Sequence, residues 1–284
     1  MFPSSFAYHR ATSVADAVQI LAANPAAKIL AGGYSLIPAM KLRLAMPEVL
    51  VDLGKLSELK AISIEEGQIR IGAMVTYDAI RDNAELVARF PVFPEAILYI
   101  GDQQVRAHGT LGGALAHNDP AADLTAVFLA LDGSVSVTGA NGARTIASDE
   151  LFVDLWTTTL EPDEIITEIS LPTPAAGTVM AYKKYGHPAS GYALAGVAAV
   201  VAVENGLVTS ARIGVTGATS TSTRATAAEE SLIGQPLDDA SIAADAALVP
   251  DGLEINGDTF ADAEYRTHLL TVLGRDVLKH AISR

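Results

Sequence analysis

Two glycine pairs about eighty residues apart constrain this chain more than any other feature: Ala31-Gly32-Gly33-Tyr34-Ser35 and Thr110-Leu111-Gly112-Gly113-Ala114. Each sits where a short apolar run gives way to a helix-like segment. Glycines permit close approach and positive φ, successive N–H groups form an anion-binding concavity, and a following helix N-terminus adds partial positive charge. Such loops, taken singly, also serve as ordinary strand-to-helix turns. Taken together they suit a pyrophosphate held from two sides, each charge-assisted N–H bond contributing roughly 1.5–3 kcal/mol.

The rest of the chain limits what such loops can serve. With 284 residues, half of them hydrophobic, there is material for one large core or two modest ones. A net charge of −14 repels nucleic acid, so nucleic-acid binding is not expected and any phosphate must be held by local amides. The sequence has no cysteine, which excludes disulfides, cysteine-ligated iron–sulfur clusters, cysteinyl-flavin links and thiol nucleophiles within it. Residues 1–10 lack the basic start and apolar centre of a secretory signal, so a cytoplasmic location is expected. The longest apolar run, Ala193 to Val203, is too short for a membrane helix and reads as a buried strand.

Ser13-Val14-Ala15-Asp16 forms a capping-box-like start, and Val14, Ala17, Val18 and Leu21 recur at helical spacing, predicting a helix over 13–23. Lys28 to Ala31 reads as a strand feeding the first glycine loop, Pro38 as first-turn helix, and Val49 to Leu53 as a second strand, a β–α–β unit. Ile62–Ile64 and Ile69–Ile71 flank Glu66-Gly67 as a hairpin, and Thr76 caps a helix to about Arg81. After the second loop, Asn118-Asp119-Pro120 is expected to restart a helix carrying Ala121, Leu124, Phe128 and Leu131. Ser134–Thr138 turns through Asn141-Gly142, and Ile165–Leu171 alternates as a strand. Residues 172–177 read as a linker with a domain boundary near 175, followed by strands near 178–185, 192–203 and 207–216 and then helices.

The stretch Leu30 to Ala45 with Leu50-Val51-Asp52-Leu53, the stretch Gly109 to Asp123, and Ala263-Glu264-Tyr265-Arg266 with Val272-Leu273 together resemble the FAD-binding medium subunits of molybdenum hydroxylases, most closely the aerobic carbon monoxide dehydrogenase branch. The resemblance implies an α+β fold: a two-part FAD-binding domain of the vanillyl-alcohol oxidase type over 1–175, with subdomains about 1–56 and 57–175. A C-terminal domain over 178–284, with a three-stranded antiparallel sheet and helices, would follow. It implies FAD in this chain, [2Fe-2S] clusters in a small partner subunit and a molybdenum cofactor in a large one, assembled as a dimer of heterotrimers. Electrons would leave through FAD to an external acceptor, a quinone in this branch with NAD as the alternative. Peripheral association of such a complex with the inner face of the membrane is compatible with this.

By the same resemblance, Ala31, Gly32, Gly33, Tyr34, Ser35 and Leu36 cradle one side of the FAD pyrophosphate, and Thr110, Gly112 and Gly113 the other. Ala114 stands where relatives often carry Asn, Asp or Ser. Asp123 is expected at the ribityl or flavin end, while Asp119 beside Pro120 reads as a helix cap. Ile166, Lys183 and Lys184 fall near the isoalloxazine, where a cation would stabilise reduced anionic flavin; strand neighbours face opposite ways, so at least one lysine reads as a solvated strand residue, and Lys184 is preferred with Lys183 close behind. His117 reads as a hydrogen-bonded histidine, Tyr185 and His187 as packing near the flavin or its access path. A stand-alone FAD-dependent oxidase of a small organic substrate and a non-enzymatic nucleotide-binding scaffold are the competing functions. The first of these demands a general base that the sequence does not display.

Overall fold

In the computed structural model, which describes residues 2–65 and 67–283, the described residues build three larger sheets and one two-stranded sheet around three apolar cores. The first sheet is parallel, ordered β1 (Ala7–Arg10), β3 (Val49–Asp52), β2 (Ala27–Leu30). Helix α1 (Val14–Ala23) covers it with Ala17, Val18 and Leu21. Ser13 caps α1 by accepting from the Asp16 N–H. The Asp16 carboxylate reaches back to Thr12 N rather than to the cap residue itself, so the capping box closes one residue early. Helix α2 (Leu36–Lys41) completes the β–α–β unit between β2 and β3. Pairing of β1 with β3 was not part of the sequence expectation.

The second sheet is antiparallel, ordered β4 (Ile62–Glu65), β5 (Gln68–Gly72), β10 (Ile165–Pro172), β6 (Ser134–Gly139), β7 (Gly142–Ala147). Asn141-Gly142 closes the β6–β7 hairpin as expected. In the β4–β5 turn, Glu66 lies outside the described residues. Helices α3 (Tyr77–Asp82), α4 (Ala84–Arg89), α5 (Val92–Leu98), α6 (Gln103–His108), α7 (Leu111–His117) and α8 (Asp123–Ala130) fill the long excursion between β5 and β6. Among the described residues, α8 is the only helix buried along its whole length. A four-residue helix, α9 (Ser148–Leu151), and the short pair β8 (Phe152–Asp154) and β9 (Thr157–Thr158) precede β10.

Two expectations are corrected. Helix α8 begins at Asp123, not at Pro120, because Asn118 turns the chain left-handed (φ 46°) and the following residues form a tight turn. In that turn Asp119 accepts from Ala121 N at 2.9 Å, so it caps a turn and does not share a helix face with Asp123. The third sheet has four strands rather than three: β11 (Thr178–Gly186), β12 (Ala193–Glu204), β13 (Leu207–Thr216) and the two-residue β14 (Thr223–Arg224). A strand of two residues leaves no periodic signal in sequence. Helices α10 (Thr226–Leu232) and α12 (Ala263–Ile282) pack on this sheet, and α11 (Asp239–Ala246) packs against those two helices.

Strand β11 serves two cores. Its Val179 and Ala181 pack with the α12 side, while Met180 and Tyr182 join the core around α8 and the second sheet. Within the C-terminal core, Asp245 of α11 is 1% exposed, and neither carboxylate oxygen has a hydrogen-bond partner among the described residues. Burial pushes its pKa up to about 7 from 3.8, with the nearby Ser231 hydroxyl opposing. The folded state therefore holds a proton that the unfolded state has released, and stability falls as pH rises from about 4 to 7. Asp245→Asn should raise the thermal midpoint at pH 8, by a stability gain of roughly 1–3 kcal/mol, and give little gain at pH 4.5. Melting curves at the two pH values check this, and equal effects at both would contradict it.

Candidate FAD site

The two glycine loops meet. A Cβ built on Gly32 would lie 2.1 Å from the His108 carbonyl oxygen and 3.0 Å from Gly109 Cα, so only glycine lets the first loop touch the backbone leading into the second. On the other side, a Cβ on Gly113 would lie 3.6 Å from the Ala31 methyl. The Tyr34 ring stacks on His108 with centroids 5.9 Å apart. Gly33 has φ +80°, a left-handed conformation that turns the chain from β2 into α2. The N–H groups of Gly32, Gly33, Tyr34 and Ser35 find no acceptor among the described residues. Four such donors in succession, ahead of Leu36 at the start of α2, form an anion-binding edge. Ser35 makes no side-chain cap bond, which leaves its hydroxyl available as a further donor.

The second loop is tied down differently. Thr110 caps α7 by accepting from Gly113 N at 3.2 Å. Leu111 N donates to Val75 O at 3.1 Å and Gly112 N to Ala73 O at 3.0 Å. A Cβ on Gly112 would meet Ala73 at 2.5 Å, so this glycine fits α7 against the end of β5. Its amide is committed inside the protein, unlike those of residues 32–35. Ala114 N closes the first turn on Thr110 O. Beside both loops opens a cavity of about 330 Å³ whose walls include Ala31, Gly32, Thr110, Thr76, His108 and Lys60.

A buried polar cluster lies at the start of α8. Asp123, 6% exposed, accepts from the Tyr182 hydroxyl at 2.6 Å and pairs with Lys184 Nζ at 2.9 Å. Lys184 is buried to 3% side-chain exposure, donates also to Tyr99 O at 3.2 Å, and lies over the Tyr99 ring at 5.5 Å. Burial raises the Asp123 pKa, and the Lys184 charge and the Tyr182 hydroxyl oppose that rise. Burial likewise raises the hydroxyl pKa of Tyr182 and of Tyr77, with the Asp123 charge adding to both. Thr216 Oγ1, 2.8 Å from the carbonyls of Pro120 and Ala122, fixes the turn that presents Asp123.

Of the two lysines, Lys184 joins Asp123, and Lys183 follows Val179 and Ala181 on the opposite face of β11. Lys184 is paired rather than free, so its charge is largely offset by Asp123. Ile166 is 5% exposed, in the core at the β10 bulge, next to Thr167, whose carbonyl accepts from Ala73 N. Tyr182 escaped the sequence reading, although alternation along Ala181–Tyr185 places it with Lys184. Lys60 and His108 had no sequence signal, since what brings them to the loops is tertiary. His187 holds its own loop, its Nδ1 accepting from Ala189 and Ser190 N–H groups at 3.2 Å, with Phe260 edge-on at 4.3 Å.

Backbone amides without internal acceptors, a second capped glycine loop against them and a buried ion pair at the start of α8 are a geometry that fits a dinucleotide. Comparison with known families agrees. Residues 4–174 match the FAD-binding domain in molybdopterin dehydrogenase, and residues 180–281 match the CO dehydrogenase flavoprotein C-terminal domain. The chain is 38% identical over 285 residues to the carbon monoxide dehydrogenase medium chain of Afipia carboxidovorans, covering 100% of this chain and 99% of that one. It is 35% identical to the nicotine 6-hydroxylase medium subunit of Paenarthrobacter nicotinovorans, covering 98% and 97%. Reconstituted CO dehydrogenase from Oligotropha carboxidovorans superposes with a TM-score of 0.96 at 38% identity, covering 100% of both chains. The chain belongs to the FAD-binding medium subunits of the carbon monoxide dehydrogenase-like molybdenum hydroxylases, and is an oxidoreductase component.

Removing one partner of a buried ion pair leaves an uncompensated charge and costs about 3–5 kcal/mol. Lys184→Met should therefore destabilise the fold strongly at pH 8 and recover in part near pH 5, as the Asp123 carboxyl, its pKa already raised, takes up a proton. The double variant Asp123→Asn/Lys184→Met should melt close to wild type at pH 8. Additive losses in the double variant would contradict the pairing.

Proposed function

We propose that this chain is the electron-exit subunit of a molybdenum-dependent dehydrogenase. In this reading a large partner oxidises the substrate at a molybdenum cofactor, and a small partner's [2Fe-2S] clusters relay the electrons. The electrons leave through this subunit to an external acceptor, a quinone ahead of NAD. When bound, FAD supplies the exchange between one-electron donors and a two-electron acceptor. The chain's own part is to hold and orient: Gly32, Gly33, Tyr34 and Ser35 donate backbone N–H groups to one side of the pyrophosphate, and the Thr110–Gly113 turn packs against the other. Asp123, fixed by Tyr182 and Lys184, marks the flavin end, with Ile166 on its apolar side.

The observation that carries this reading is the state of the titratable groups at that end. Asp123, Tyr182 and Lys184 are all committed to one another, an arrangement for positioning a ring rather than for abstracting a proton from a substrate. With no cysteine in the chain, thiolate-bound clusters must come from a partner. Carbon monoxide is the leading substrate for the complex, after the full-length likeness to the carbon monoxide dehydrogenase medium chain. N-heterocycles come second, after the nicotine 6-hydroxylase subunit. A dimer of heterotrimers in the cytoplasm is the assembly this reading carries; no helix among the described residues is long and apolar enough to cross a membrane.

Purification from the native source, with visible spectra and metal analysis, tests the proposal. FAD accompanied by iron and molybdenum in larger subunits, and flavin bleaching on exposure to carbon monoxide, is the expected result. FAD on a solitary chain, bleached directly by a small organic substrate without metals, would overturn it in favour of a stand-alone oxidase.

A further inference from the structure

We infer that Lys60 is the side-chain cation of the dinucleotide site, engaging the phosphate on the AMP side of FAD from the wall of the cavity beside the two loops. This inference rests on the FAD reading above. Lys60 ends a 3₁₀ turn, Ser57–Lys60, after β3, and it lines the same cavity as Ala31, Gly32 and Thr110. Its Nζ donates to Gly54 O at 2.6 Å, and Gly54 N donates to Asp52 Oδ1 at 2.7 Å. The Asp52 carboxylate is in turn bonded by the Tyr8 hydroxyl at the edge of the parallel sheet. The ammonium is thereby moored by one of its three hydrogens, and two remain for a ligand.

Charge and lining point the same way. In a chain of net charge −14, no carboxylate lines this cavity among the described residues, and Lys60 is its one lysine or arginine. The nearby carboxylate of Asp52 is occupied by Gly54 N and Tyr8 rather than by Lys60. Met74, Val75, Ala79 and Ala107 add apolar wall, which suits the flat face of a purine, whereas the polar Asp123 cluster belongs to the α8 end. A phosphate bridging Lys60 and the open amides of residues 32–35 would thus be shared between a point charge and a backbone edge.

The test is FAD binding by the assembled complex stripped of its flavin, measured by titration at low and moderate salt, with ADP as a competitor. Lys60→Gln keeps a donor for Gly54 O but loses the charge. It should bind FAD and ADP about tenfold more weakly and with a flatter salt dependence, while Lys60→Arg stays near wild type. Unchanged FAD and ADP binding in Lys60→Gln would overturn the inference. So would weak binding in Lys60→Met alone, since that would assign Lys60 to mooring Gly54 only. If the wild-type complex takes up no FAD at all, the reading beneath it fails as well.

Discussion

The contact on which the site depends is the one between Gly32 and the backbone at His108-Gly109. It joins a parallel β–α–β unit to a helical excursion from an antiparallel sheet, two pieces of chain with separate cores. Any side chain at position 32 would have to displace a backbone carbonyl, and a carbonyl cannot rotate aside as a side chain can. The cost of the contact is four backbone N–H groups left without internal partners. On the function proposed above, a bound anion would recover that cost, and the same few residues would then govern both the packing of the two pieces and the affinity for the cofactor.

The C-terminal unit is more than an appendage to this cradle. Its edge strand β11 sends alternate side chains into two cores and delivers Tyr182 and Lys184 to Asp123. The outward N–H of Tyr182 is taken by Glu95 of α5 at 2.7 Å, and His280 near the end of α12 meets the same carboxylate at 2.9 Å. Arg266 of α12, 6% exposed, donates to the carbonyls of Leu194 and Gly217, and Gly217 N donates to Pro120 O, next to the turn that presents Asp123. The setting of Asp123 and Lys184 therefore draws on α5 and the turn before α8 as well as on β11 and α12, and its geometry depends on the two units staying docked.

Local rules made much of this legible in the sequence. The Ser13 cap, the Asn141-Gly142 hairpin, the alternation of residues 165–171 and the long strands of the third sheet each leave a periodic or turn signal within a few residues. Signals failed where the structure is decided at a distance. The start of α8 slipped to Asp123 because Asn118 adopts a left-handed conformation secured by carbonyls of Asp154 and Thr157, far along the chain. The strand β14 is only two residues long and forms because β13 is already there. At the site, strand alternation put Lys183 and Lys184 on opposite faces, but no spacing rule could show that Lys184 would pair with Asp123, or that a 3₁₀ turn would bring Lys60 beside the glycine loops.

The most direct measurement of the central claim is hydrogen–deuterium exchange at residues 32–35 in the assembled complex, with FAD removed and restored. With four amides lacking internal acceptors, this segment should exchange freely without FAD and slow by at least about tenfold when FAD is bound. Protection that appears elsewhere while residues 32–35 exchange unchanged would contradict the account, because the cofactor would then be held by some other edge of the molecule.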